Sequence, residues 1–184
     1  MTNHRFVARR PLLAFLVLLL ARSASAQTAT LLSIDDFVRD WQISKRFTLA
    51  VARVMPAASY DFKATPEEMT FGEQMYHLSS SLFVTFNRIS GESPTYTAPP
   101  TTITKEIMLD WIDKSFDYVI RVLPKLTDTQ LTETKFPVNF DGRPGPDING
   151  RDMMMNMFIH VAHHRAQCEV YLRLKGITPP IYTF

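Results

Sequence analysis

Apolar residues recur every three or four positions in four segments of this chain, and that spacing places them on one face of an α-helix. The segments cover residues 33–55, 70–89, 104–124 and 149–176. Alternation of apolar and polar residues, the pattern typical of β-strands, is scarce after residue 26. Four helices of about 20 residues with so little strand signal predict an all-α fold, a four-helix bundle.

Each predicted helix begins at a residue whose side chain can accept a hydrogen bond from the first helical turn. These N-cap residues are Ser33, Thr70, Thr104 and Asn149. Glu73 follows Thr70 by three residues, which completes a capping-box pattern. Proline or glycine lies at or just beyond the end of every segment, where a helix is expected to stop.

The first and third predicted connections, residues 56–69 and 126–149, are both long. Each could run the length of a helix, so a simple up-down-up-down order is not required. Within the first connection, residues 65–68 read Thr-Pro-Glu-Glu, which is typical of a one-turn helix start. Within the third, residues 136–140 could form a short extended piece, for which no pairing partner is evident.

The last segment contains three of the five histidines within five residues. At 100° per residue, His160 and His164 share one side of the helix with Met157, and that side is expected to face a core. Two imidazoles one turn apart on a buried face can direct both nitrogens at one metal ion. The alternative is a buried histidine pair that is hydrogen-bonded to neighbouring groups.

The other histidines of the predicted bundle are His163 and His77. His163 points away from the face that carries His160 and His164. A metal-binding pair made of His160 and His163 is nevertheless sterically possible. His77 lies at the edge of the apolar face of the second helix. That position, taken by itself, is typical of a surface or boundary residue.

Residues 1–26 have the three parts of an export signal: a basic start, an apolar middle over 12–21 and the small residues Ala-Ser-Ala at 24–26. We expect cleavage after Ala26, a periplasmic or secreted protein, and a single domain over 27–184. The apolar run is shorter than the roughly 20 residues of a transmembrane helix, so no stable membrane anchor is expected. The pair Arg9-Arg10 leaves a twin-arginine route open beside ordinary secretion.

The chain has 20 basic and 18 acidic residues, but the predicted signal carries four of the arginines and no acid, so the mature chain has a net charge of about −2. No basic run remains to bind phosphates, which excludes a nucleic-acid partner on electrostatic grounds. The single cysteine, Cys168, excludes an internal disulfide and falls on the inward face of the last helix, as a small core residue would.

Two stretches resemble the DinB/YfiT-like family of metalloproteins: TFGEQMYHLSSS, which contains His77, and IHVAHHRAQCEVYLRLKGITPP, residues 159–180. A weaker similarity extends over nearly all of the mature chain. The resemblance implies a four-helix bundle in which three histidines, one on the second helix and two on the last, hold a divalent ion. Matched residue by residue, these ligands are His77, His160 and His164.

Three imidazoles leave a divalent ion with a position open for water or substrate, which is typical of catalytic zinc sites. Zinc is the first expectation for the metal, and nickel, iron and manganese are alternatives. We expect a metal-dependent enzyme, either a hydrolase that uses metal-bound water or, as the resemblance implies, a transferase that activates a thiol. Low-molecular-weight thiols are kept inside the cell, so the export signal favours the hydrolase. No substrate is indicated.

Three acidic residues are candidates for a general base: Glu73, one turn before His77, and Asp113 and Asp117 if they turn inward. Glu73 is equally well explained as the glutamate of the capping box. The alternative functions are a bundle that binds a metal or small molecule without turnover, and a structural bundle that binds no metal. The sequence also leaves a homodimer open.

Overall fold

The computed structural model describes residues 33–95, 98–140 and 143–183, and these residues form four long helices. Helix α1 spans Ile34–Val54, α2 Phe71–Ser90, α3 Lys105–Val122 and α4 Gly150–Leu174. The predicted all-α bundle is confirmed, and each helix lies within a few residues of its predicted bounds. The predicted export signal, residues 1–26, lies outside the described residues.

Local hydrogen bonds explain where the helices begin. Thr70 Oγ1 accepts from the backbone N–H of Glu73, and the Glu73 carboxylate accepts from the Thr70 N–H in return, so the capping box is present. Thr104 Oγ1 caps α3 through the N–H of Ile107, and Asn149 Oδ1 caps α4. These side chains supply acceptors that the first turn of a helix otherwise lacks.

The packing order of the helices differs from their order in the chain. Helix α3 packs against α1 and α2, and α4 packs mainly against α2 and less extensively against α1. Consecutive helices α1 and α2 make little or no contact, and the same holds for α3 and α4. The long first and third connections therefore join helices at opposite corners of the bundle. Among the described residues, none of the helices is long and apolar enough to cross a membrane.

One aromatic cluster ties the four helices together. The fully buried Trp41 of α1 meets Phe86 of α2, Phe116 of α3 and Phe158 of α4 edge to face, with ring centroids 5.5, 5.8 and 5.2 Å away. Such pairs contribute about 0.5–1.5 kcal/mol each beyond the burial of their surface. Because one ring comes from each helix, this part of the core is formed only when the whole bundle assembles.

The connections contain short elements that the sequence predicted only in part. After α3, the chain makes a 3-10 turn at Leu123–Lys125 and a π-helical turn at Thr129–Glu133. Strand β1 (Lys135–Phe136) then pairs antiparallel with β4 (Ile148–Asn149), and β2 (Asn139–Phe140) with β3 (Arg143–Pro144). The extended piece expected at 136–140 thus finds partners within the same connection.

Two details of the connections follow from close backbone contacts. At residues 65–68 the N–H of Glu68 donates to the carbonyl of Thr65 (3.2 Å), and the expected helix start does not continue beyond this turn. A Cβ atom at Gly150 would lie 2.3 Å from the carbonyl oxygen of Gln130. Glycine at this position therefore allows the third connection to lie directly against the start of α4.

Candidate metal centre

Three histidine side chains converge between α2 and α4. His77 lies in the second turn of α2, and His160 and His164 lie one turn apart on α4. The Nε2 atom of His160 is 3.1 Å from Nε2 of His77 and 3.1 Å from Nε2 of His164. One nitrogen from each of the three rings lies within 4.8 Å of the others. Two packed helices thus bring together the three histidines that the family resemblance implies as ligands.

The spacing of these nitrogens fits a tetrahedral ion. Imidazole nitrogens bound to zinc lie about 2.0–2.1 Å from the metal, so two of them at a tetrahedral angle are about 3.3 Å apart. The two separations of 3.1 Å between Nε2 atoms are close to this value. The planes of the three rings are tilted to one another by 55° to 66°.

A buried glutamine sets the orientation of one ligand. Gln74 of α2 is 2% exposed, and its Oε1 lies 2.5 Å from Nδ1 of His164. Because the amide oxygen can only accept, His164 must carry its hydrogen on Nδ1, which leaves the lone pair on Nε2 directed at the other two histidines. Metal-bound histidines are commonly oriented in this way by a hydrogen bond to the second ring nitrogen.

Burial keeps the three rings neutral. Desolvation lowers the pKa of His77, and desolvation together with the charges of His77 and His163 lowers the pKa of His160. The pKa of His164 falls to about 3, mainly through desolvation and further through the charge of His160. Neutral imidazole is the form that binds a metal ion, so the site is ready for metal near neutral pH.

The donor set is incomplete without a cation at its centre. His160 Nε2 faces two other Nε2 atoms, and Nε2 of His164 carries a lone pair. If His160 Nε2 carries a hydrogen, it can donate that hydrogen to only one of the two neighbouring Nε2 atoms, and the other contact is left without a hydrogen bond. If it carries none, its lone pair faces the lone pair of His164. A proton is disfavoured because burial lowers the pKa of all three rings. A divalent ion fits the residues present.

The Nδ1 atom of His160 and the side chain of His163 are not among the three converging nitrogens. Nδ1 of His160 is buried and has no hydrogen-bond partner among the described residues, so no group holds its ring as Gln74 holds His164. His163 is exposed, and its Nε2 lies 2.9 Å from Nε2 of Gln167. The structure thus places His163 on the outer side of α4, apart from the three converging nitrogens.

The three candidate bases are engaged elsewhere. Glu73 is exposed, and its carboxylate accepts the Thr70 N–H at 2.7 Å, which lowers its pKa. Asp113 and Asp117 on α3 are exposed and form ion pairs with Lys45 of α1, at 2.9 and 2.6 Å. Within the described part of the chain, none of these acids belongs to the group of potential ligands formed by the histidines.

Cavities open on two sides of the histidines. One, of about 370 Å³, is lined by His77 and Glu73 together with Lys63, Glu67, Glu68, Met69 and Tyr76. The other, of about 380 Å³, reaches His160 and has mostly apolar walls. Glu73 therefore shares a cavity with one of the candidate ligands, although its carboxylate is held by the helix cap.

Sequence reasoning did not identify Gln74. Its signal was present: the residue directly precedes Met75 on the apolar side of the second helix, where an amide must find a partner once buried. That partner, His164, is ninety positions away in the sequence, so only the packing of α2 on α4 reveals the pair.

Comparisons with known proteins agree with this architecture. A sequence profile described as the DinB superfamily matches residues 41–168. The uncharacterized protein YrdA of Bacillus subtilis strain 168 is 25% identical over 150 residues, which cover 80% of this chain and 86% of YrdA.

Solved structures show the same fold at lower identity. A DinB-like protein from Bacillus cereus ATCC 10987 aligns with a TM-score of 0.65 and 22% identity, covering 83% of this chain and 99% of its own. The DinB-like protein YjoA from Bacillus subtilis aligns with a TM-score of 0.60 and 20% identity, covering 79% of this chain and 96% of its own.

Proposed function

The chain belongs to the DinB superfamily, and from that membership and its histidine cluster we propose that it is a metalloprotein that holds one divalent ion through His77, His160 and His164. The observation that carries the proposal is the convergence of the three Nε2 atoms, with 3.1 Å between those of neighbouring rings. Zinc is the first candidate, nickel and iron also suit imidazole ligands, and manganese, the remaining alternative, more often binds carboxylates.

We further propose that the protein is an enzyme. Three ligands leave a coordination position free, and an ion held in this way supplies Lewis acidity that lowers the pKa of a bound water or thiol. The chain contributes neutral ligands, because burial lowers the pKa of His77, His160 and His164. It also contributes two cavities through which a small molecule can approach the histidines.

Hydrolysis is the reaction class that we favour over thiol transfer. The export signal expected in residues 1–26 supports this choice, because a protein outside the cytoplasm has little access to low-molecular-weight thiols. Of the three predicted acids, Glu73 is the one that lines the same cavity as His77, where Glu67 and Glu68 also lie. The Thr70 N–H bond that lowers its pKa makes Glu73 a weak base, however.

One observation favours a second function, a bundle that binds a metal or ligand without turnover. The carboxylates of Glu73, Asp113 and Asp117 already have partners in the helix cap and in the ion pairs with Lys45. Without these three acids for proton transfer, the histidines can still bind an ion. The enzyme and the binding protein share the same ligands, so both require the metal.

Metal analysis of purified, tag-free protein and its single variants tests the proposal. We expect close to one divalent ion per chain in the wild type, and loss of that ion in His77→Ala, His160→Ala and His164→Ala. His163→Ala is the matched control, because its side chain is exposed, and it should retain the ion. Wild-type protein without stoichiometric metal, or equal loss in all four variants, would overturn the ligand assignment.

A further inference from the structure

The apolar cavity that reaches His160 has the features of a site for a ligand of defined chemistry. We call it the α2–α4 pocket; it measures about 380 Å³ and is lined by Thr85, Arg88, Val138, Asn139, Ile148, Met153, Asn156, Met157 and His160. Its volume lies in the lower part of the range of about 300–1,000 Å³ for small-molecule sites. Helix α2, helix α4 and the third connection each contribute residues, so the folded bundle forms it.

Apolar side chains form most of the pocket wall next to the histidines. Met153, Met157 and His160 follow one another on one side of α4 within two helical turns, and Val138 and Ile148 cover the pocket from the third connection. Methionine side chains adapt to ligands of different shapes. Apart from the amide of Asn156, the part of a ligand that lies nearest to His160 therefore meets apolar side chains.

Among the described residues, Arg88 is the only charged side chain that lines the pocket. The side chain is exposed, and its Nη2 donates to the carbonyl oxygen of Pro137 at 2.9 Å, which places the guanidinium beside the third connection. Among the described residues it forms no ion pair, so its other N–H groups are available to an anion. A guanidinium held in place by one backbone carbonyl is well suited to bind a carboxylate or a similar anion.

The two cavities beside the histidines differ in charge. The cavity at His77 contains three glutamates, Glu67, Glu68 and Glu73, and one lysine. The described residues that line the α2–α4 pocket include a single arginine and no acid. An anionic ligand is repelled from the first cavity and attracted to the second. The charge distribution thus selects one approach to the histidines for an anion.

The position of Arg88 also sets the length of a ligand. His77 and Arg88 lie on α2 eleven residues apart, which corresponds to roughly 16 Å along the helix axis. A molecule that touches both ends must therefore be elongated, with several carbon atoms between its anionic end and the end at the histidines.

We propose that the α2–α4 pocket binds an elongated, mainly apolar small molecule with one anionic end, with the anion on Arg88 and the apolar part directed toward His160. The proposal rests on the proposed function in that it makes this molecule the class of substrate for the metal centre. Binding itself needs only the arginine and the apolar walls. It can therefore be measured separately from the metal.

Calorimetric titration with octanoate tests the pocket directly. Octanoate should bind, and acetate, octan-1-ol and octylammonium should bind at least about tenfold more weakly, because each lacks the apolar chain or the negative charge. Arg88→Gln should weaken octanoate binding by about tenfold or more, as expected for loss of a charge-assisted hydrogen bond, and Arg88→Lys should restore part of it. The exposed Arg39→Gln on α1 is the matched control and should bind octanoate like the wild type.

The pocket proposal and the metal proposal can fail separately. To distinguish them, metal content is measured in parallel and the octanoate titration is repeated after chelation. Equal octanoate affinity in wild type and Arg88→Gln would overturn the pocket proposal. Binding that disappears on chelation and is insensitive to Arg88→Gln would show that the carboxylate binds the metal, which contradicts the pocket and supports the ion. Arg88-dependent binding by a protein that contains no metal would support the pocket and contradict the proposed function.

Discussion

At the scale of single residues, the candidate metal centre depends on which nitrogen of each imidazole carries hydrogen. The contact between Gln74 Oε1 and His164 Nδ1 decides this for one ring, since the amide oxygen requires a donor. His160 has no such partner for Nδ1 among the described residues. The three ligands are therefore held to different degrees, and His164 is the one whose orientation is prepared before metal binding.

Replacing Gln74 with leucine should weaken metal binding without abolishing it. Leucine has a similar size but cannot accept the His164 Nδ1–H, so the ring loses both its orientation and its preferred hydrogen position. Loss of such a partner typically lowers metal affinity 10–100-fold. Competition with a chelator of known affinity measures the change, and Gln167→Leu, whose side chain contacts the exposed His163, is the control. Equal affinities for Gln74→Leu and the wild type would show that the hydrogen bond does not orient the ligand.

The lowered pKa values of the histidines also predict how stability depends on pH. In the metal-free protein, the unfolded chain takes up protons at His77, His160 and His164 as the pH falls below about 6.5, whereas the folded chain does not until the pH approaches their lowered pKa values, about 3 for His164. The unfolded state then binds more protons. The free energy of unfolding is therefore highest above pH 6.5 and decreases as the pH falls through this window.

Urea denaturation of metal-free protein at pH 7.5 and pH 5.0 checks this prediction. The decrease between the two pH values should be smaller in His164→Gln, which removes the imidazole whose pKa is lowered to about 3. A decrease of equal size in the wild type and His164→Gln would show that other groups cause the pH dependence.

At the scale of secondary-structure elements, the cap that stabilises the start of α2 lies next to the candidate ligand on that helix. The capping box of Thr70 and Glu73 begins the helix that carries Gln74 and His77, so the start of α2 and the metal site share the same two turns. Helix bounds were predictable because these caps are local features of the sequence. The two-residue ladders of the third connection were not, because their pairing depends on how residues 135–149 lie against α4.

Thr70→Ala should lower the free energy of unfolding by about 1 kcal/mol, because the N–H of Glu73 loses its acceptor. Glu73→Gln should cost much less, since glutamine can also accept from the Thr70 N–H in a capping box. Urea denaturation at pH 7.5 compares the two variants. A cost of Glu73→Gln as large as that of Thr70→Ala would mean that the charge of Glu73, and not its hydrogen bond, stabilises α2.

At the scale of the whole molecule, the bundle and the metal centre have separate sources of stability. The cluster of Trp41 with Phe86, Phe116 and Phe158 joins all four helices and does not include the histidines. The sequence predicted four helices, but the neighbour order of the helices arises from packing between residues far apart in the chain. That order explains why His77, at the edge of its apolar face, meets His160 and His164.

Metal-free protein should therefore remain folded at pH 7.5, with the helical circular dichroism of the metal-bound form. Metal should raise its thermal midpoint, because a ligand that binds only the folded state adds RT ln(1 + [L]/Kd) to the free energy of unfolding. Little increase is expected at pH 4.5, where protons compete for the imidazoles. A metal-free chain that is unfolded at pH 7.5 would show that the ion is structural, and the enzyme proposal would lose its support.

The coordination sphere of the ion is the most direct test of the central claim. X-ray absorption at the zinc edge of zinc-loaded protein should show three imidazole nitrogens at about 2.0–2.1 Å and one further oxygen donor, which an added thiol should replace with sulfur at about 2.3 Å. The same spectrum from His163→Ala should be unchanged. Fewer than three imidazoles in the wild type, or a fourth protein ligand that a thiol cannot displace, would contradict a three-histidine centre with an open position.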